Sequence, residues 1–165
     1  MSEEINVSDA QIMTLKLILI SLIAGPTLFL CVILFLMTQS HGNPVAKYTN
    51  PDYSFVHVMT LTAMTLTVFS NAIAPLFQKL TVKMKFRSGP FLAIQSGLLT
   101  RYAMAEGAAL FGLVNILLGI KSGITPAYIW VNLIPLLILY LTAFFTFPTR
   151  MKVEEQIKKY SEKYN

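Results

Sequence analysis

Charge is scarce in this chain. Of its 165 residues, 13% are Asp, Glu, Lys or Arg, about half the roughly 25% of an ordinary soluble domain. With 55% apolar residues it cannot be a disordered chain, which is poor in apolar residues. Cysteine is nearly absent: Cys31 stands alone, so no disulfide can form within the chain, and a lone thiol in an apolar run reads as packing. The two histidines, His41 and His57, are 16 positions apart. No His, Cys or carboxylate pair has metal-ligand spacing, so neither metal nor cofactor is expected. A glycine-rich phosphate loop and a nucleophile elbow are both missing. The polar residues available to a membrane enzyme are dispersed, and the chain reads as a non-enzyme.

What is present is four apolar blocks, at about 17–37, 55–77, 98–120 and 128–147, each 20 to 23 residues long. As helices they measure about 30–35 Å, which matches a hydrocarbon core about 30 Å thick. Lipid offers no partners to backbone polar groups, so helices are the form expected. The fold class is therefore an all-α membrane protein. Its four transmembrane helices form two hairpins within a single domain, 1–165, with a basic link at 78–97 and an amphipathic tail at 150–165.

The first block is no cleaved signal. Its leader carries Glu3, Glu4 and Asp9, where a signal peptide needs positive charge. Ser8 and Gln11 have the spacing of a capping box and predict a helix start there. Gly89-Pro90 predicts a second helix start, with proline in its first turn. Val153, Ile157, Tyr160 and Tyr164 recur on one face of the tail. The tail reads as a solvated end of the fourth helix, with contact to the membrane surface or to a partner as the alternative.

The net charge of +5 has a direction. Lys16, Lys79, Lys83, Lys85, Arg87, Arg150, Lys152, Lys158, Lys159 and Lys163 flank one side of the four blocks. Lys47 and Lys121 flank the other, and Arg101 lies inside the third block. The positive-inside rule then places both termini and the basic link in the cytoplasm. The basic residues mark orientation and contact with anionic lipid heads, and no nucleic-acid partner is expected.

Blocks one and three align at an offset of 82, with Gly25 to Phe29 over Gly107 to Phe111, and blocks two and four at 73. A tandem repeat would relate two hairpins of the same orientation by an axis along the membrane normal.

Within the spans the informative residues are the costly ones. Glu106 lies roughly 12 Å deep in the third span, where a charged carboxylate costs about 2.5 kcal/mol or more. Arg101, five positions away, points about 140° around the helix and is expected to snorkel to the interface. Tyr102 is one turn from Glu106, so either it or a group on another helix could bond the carboxyl. Arg101, Ala105, Ala108, Gly112, Asn115 and Gly119 form a heptad stripe of mostly small residues, a helix-packing seam. Glu106 lies off it, toward a second interface such as another protomer. In the second span His57, Thr60, Met64, Thr67, Asn71, Ala74 and Gln78 form a polar stripe. Such a stripe either packs and hydrogen-bonds between helices or lines a water path. Asn132 lies at a depth similar to that of Asn115, and the two could pair. Pro26 and Pro135 fall inside spans and are expected to kink them.

Two resemblances appear in the third span. Ala105-Glu106, followed by Leu110-Phe111-Gly112-Leu113-Val114, resembles the carboxyl-bearing helix of rotary ATPase proteolipids (subunit c). That resemblance implies a role for Glu106 as the carrier of a proton or sodium ion. The pattern Arg101, Ala103, Glu106-Gly107, Leu110-Phe111, with Pro148-Thr149-Arg150 after the last span, is similar to small four-helix bacterial membrane proteins. It implies a multi-pass protein of the cell inner membrane and supplies no substrate. The functional expectation is a protein that acts by helix association as an accessory subunit, a scaffold or a homo-oligomer. Its partners would be the bilayer and either its own copies or another membrane protein. The alternative is proton, cation or small-solute translocation through Glu106.

Overall fold

The computed structural model describes residues 7–40, 54–123 and 127–164, which leaves Glu3, Glu4, His41, Lys47 and the Lys163 and Tyr164 side chains outside the description. The described residues are helical almost throughout. The elements are α1 (Asp9–Ser40), α2 (Ser54–Lys85), a 3-10 turn (Phe86–Ser88), α3 (Pro90–Lys121), a 3-10 segment (Ala127–Leu133), α4 (Ile134–Thr146) and α5 (Arg150–Tyr164). Four helical stretches are long and apolar enough to cross a membrane: Asp9–Gln39, Ser54–Ser88, Pro90–Lys121 and Ala127–Thr146.

Local chemistry sets the ends. The Ser8 amide donates to Gln11 Oε1 at 3.1 Å and the Gln11 amide to Ser8 Oγ at 3.2 Å, the reciprocal pair of a capping box. Pro90 opens α3, where a missing N–H costs nothing, and the Ala93 amide reaches back to the Gly89 carbonyl at 3.0 Å. The basic link at 78–97 is therefore mostly helix. It comprises the end of α2, one 3-10 turn and the start of α3, with Lys79, Lys83, Lys85 and Arg87 exposed.

The fourth span differs from expectation. Its first seven residues are a 3-10 segment and only thirteen are α-helix. Pro135 stands in the first turn of α4 rather than kinking its interior. A 3-10 helix rises about 2.0 Å per residue, so the composite still reaches about 34 Å, enough for the hydrocarbon core.

The packing is not that of two hairpins side by side. α3 is the hub, packed against α1, α2, α4 and α5, while α1 also touches α4 and makes at most marginal contact with α2. The Thr27 and Tyr140 hydroxyls, 2.8 Å apart, tie α1 to α4. The two sequence halves thus have unequal roles, with α1 peripheral and α3 central.

Two apolar clusters mark the two ends. One gathers Val7, Leu15, Val82, Phe86, Ile94, Val153 and Ile157. It places the start of α1, the basic link and α5 at one end, called here the basic end. The other gathers Ile33, Val56, Leu113, Ile116, Ile129 and Leu139. The tail is not a solvated extension of α4. Pro148 ends that helix because it supplies no amide and disfavours helix before it. Thr149 then starts α5, accepting the Lys152 amide on Oγ1 at 3.3 Å. Val153 and Ile157 are each 1% exposed, because their apolar stripe closes over the basic end of the bundle. Arg150 pairs with Glu154 at 2.9 Å and Asp9 at 3.4 Å. These contacts, the Glu154 hydrogen bond first, hold its guanidinium above its ordinary value. They are exposed and fasten little.

Candidate functional site

α3 carries the polar chemistry, and its one-sided seam positions it. Ala105, Ala108, Gly112, Asn115 and Gly119 are all buried, as the stripe predicts. Gly112 is required by close approach: a Cβ there would overlap the backbone oxygen of Asn132 and sit 3.3 Å from Pro135 Cγ. Gly97 has the same role toward α2, where a Cβ would lie 2.7 Å from Val82 Cγ2.

At the end away from the basic residues, three buried side chains from three elements meet. Asn115 Nδ2 donates to Thr60 Oγ1 at 2.9 Å and to Asn132 Oδ1 at 3.1 Å. Asn132 Nδ2 donates to Thr60 Oγ1 at 3.0 Å and to the Ile129 carbonyl at 2.8 Å. Both asparagines are 0% exposed. The expected pairing of Asn115 with Asn132 is present, and Thr60 completes it. Among the described residues the Asn115 Oδ1 atom has no hydrogen-bond partner. Replacing Asn115 with alanine is expected to cost about 1–2 kcal/mol in detergent, because Asn132 Oδ1 loses its donor. A double-mutant cycle with Thr60→Val should then show a coupling of roughly 0.6–1.7 kcal/mol. Additive melting shifts would contradict a shared network.

The stripe on α2 packs. Thr60, Thr67, Ser70 and Ala74 are buried. Thr67 bonds the Ala63 carbonyl at 2.6 Å, Ser70 the Thr67 carbonyl at 3.1 Å, and Asn71 Nδ2 the Thr67 carbonyl at 2.9 Å. His57 is exposed, with its ring edge-on to Tyr128 at 5.9 Å.

Glu106 sits midway along α3 and is partly buried. Its Oε1 lies 3.4 Å from where a Cβ would stand on Gly25 of α1. The next residue, Pro26, supplies no amide, so the Leu22 carbonyl one turn back lacks its helical donor. Among the described residues no hydrogen bond or ion pair reaches Glu106. Tyr102 is not its partner. That side chain is fully buried, with its hydroxyl 3.4 Å from the Ala143 carbonyl and 3.2 Å from Thr146 Oγ1. Nor is Arg101, which instead lines a cavity at the basic end.

Beside Glu106 lies a face of α3 that the sequence reading did not single out. Ala103, Gly107 and Val114 are exposed at helical spacing. They form an exposed face of α3, and α1 and α2 make at most marginal contact with each other. A Cβ on Gly107 would have nothing within 4 Å. The signal was available as the spacing 103, 107, 114, but in an all-round apolar helix no period distinguishes a packed face from an exposed one.

Among the described residues no three His, Cys, Asp or Glu side chains converge as a metal site. No protein-family model matches the chain, and neither a curated protein nor a solved structure matches it.

Proposed function

We propose that this chain is a multi-pass protein of the cell inner membrane, with both termini cytoplasmic, that acts by binding a transmembrane helix. The helix would come from another membrane protein or a second copy, and the chain would serve as an accessory subunit, scaffold or homo-oligomer. The observation that carries the reading is the exposed small-residue face of α3 at Ala103 and Gly107, beside the Glu106 carboxyl, which has no partner among the described residues. Small residues let a second backbone approach closely, and a polar group facing lipid favours a bonding partner. The buried seam of Gly112 and Asn115 is already spent on contacts within the chain, so association needs this second face. Orientation rests on the basic residues gathered at the end that also holds the start of α1 and the docked face of α5.

Purification in mild detergent tests it. A species heavier than the 18.4 kDa chain is expected, and Gly107→Trp should return it to monomer without lowering its melting temperature. A lone wild-type monomer with no copurifying protein would defeat the reading.

Glu106 itself supports a second reading, passage of a proton or cation. A carboxyl held in an apolar span with no partner among the described residues can take up and release an ion. Reconstituted vesicles decide between the two: equal proton or sodium flux for native protein and Glu106→Gln removes the carrier role.

A further inference from the structure

Arg101 points to a site that neither reading uses. It is partly buried, and among the described residues it has no hydrogen bond or ion pair. A guanidinium in that condition, on a span, calls for an anion. Its side chain lines a cavity of about 110 Å³, enclosed by α2, α3, α5 and the end of α4. The other polar walls are Gln78, Thr146, Lys152 and Gln156. Two walls are cations, the two glutamine amides are able to donate, the Thr146 hydroxyl already donates to the Thr142 carbonyl at 2.6 Å, and none is a carboxylate. Lys152 reaches over the break after α4, where its Nζ donates to the Phe145 carbonyl at 3.3 Å. The exposed Phe145 ring forms part of the rim.

We propose that this cavity binds the phosphate of an anionic phospholipid headgroup. The chemistry shared with free phosphate is a tetrahedral anion met by a planar guanidinium fork, an ammonium and neutral donors. The lipid is the source because the cavity opens at the basic end of four membrane-length helices, beside an aromatic rim. Basic pockets between spans at that level hold lipid headgroups. The cavity admits a phosphate group and no larger part of a lipid, so the acyl chains stay outside along the apolar faces. The proposal needs the chain to span the membrane but not to bind a partner helix, so its failure is separate from that of the exposed α3 face as a helix-binding surface.

The test uses full-length protein in nanodiscs of phosphatidylcholine with rising fractions of phosphatidylglycerol, read by melting temperature and by lipid retained in native mass spectrometry. Phosphatidylglycerol should raise the melting temperature and be retained in preference to phosphatidylcholine. Arg101→Gln with Lys152→Gln should weaken that preference about tenfold, the worth of one lost charge-assisted contact. Lys158→Gln with Lys159→Gln, an equal loss of charge on exposed parts of α5, should leave it within about twofold. Should the first pair fail to fold, Lys152→Gln alone, at an exposed position, is expected to weaken retention about threefold. Equal weakening by both pairs overturns the proposal, as does indifference of the wild type to the anionic lipid. Inorganic phosphate that stabilises the protein in pure phosphatidylcholine as much as phosphatidylglycerol does would overturn the lipid as source.

Discussion

Gly112→Leu is expected to lower the melting temperature in detergent by roughly 6–12 °C, while Gly107→Leu, five residues away on the same helix, leaves it within about 2 °C. The two glycines differ only in what lies over them. A Cβ at Gly112 runs into the Asn132 backbone oxygen, with Pro135 Cγ beyond it at 3.3 Å. Backbone cannot turn aside as a side chain would, so the 3-10 segment must move away from α3. That movement separates Asn115 from Asn132, where the contact is 3.1 Å. Strain and lost hydrogen bonds together cost about 3 kcal/mol, and each kcal/mol shifts a chain of this size by about 2–4 °C. Gly107 faces open space. Equal losses at the two positions would show that α3 and the 3-10 segment are not in contact as described.

Val153→Ala with Ile157→Ala is expected to release α5 without unfolding the spans. Here the hydrophobic effect acts in full, because α5 lies past the last membrane-length helix and its apolar face is covered by protein. Large-to-small changes at two fully buried positions cost about 3 kcal/mol or more, which is roughly a hundredfold in an opening equilibrium. Trypsin cleavage after Arg150 and Lys152 should therefore quicken about a hundredfold, since cleavage of a briefly opened segment follows its open population. The melting temperature of the bundle should move much less, because opening is local. Unchanged cleavage rates would mean that the docked tail contributes nothing to its own protection.

The four membrane-length helices were legible because each rests on a contiguous apolar run of 20 to 23 residues. Ser8, Gln11 and Pro90 were legible because capping chemistry is local, reaching only three or four residues. The Asn115–Asn132 pair could be read from depth alone, since two amides at one level have few other partners. Thr60 was visible only as one member of a seven-residue stripe, and nothing in its spacing separated it from Thr67, which bonds its own backbone. The docking of α5 was not legible: spacing at 153, 157 and 160 announces an apolar face but not what covers it. The arrangement of α1 was hidden for the opposite reason. A helix apolar all round has no face that tells protein from lipid, so its partners had to come from the structure. Arg101 was legible as a cation inside the third block, yet the cavity it lines depends on α5, which the spacing read as a solvated end of the fourth helix.

The weak contact between α1 and α2 bears on how the chain is made. α1 leaves the ribosome first, but the helices it docks against, α3 and α4, come after its own neighbour in the chain. From Ser40 to the end of α3 at Lys121 there are 81 further residues, roughly 4–16 s of synthesis at 5–20 residues per second. If the helices span a membrane as proposed, the first helix would stand in the bilayer through that interval without α3 or α4 to pack against. Its orientation and depth would then rest on lipid, on the polar cap at Ser8 and on Lys16, until α3 arrives to receive it.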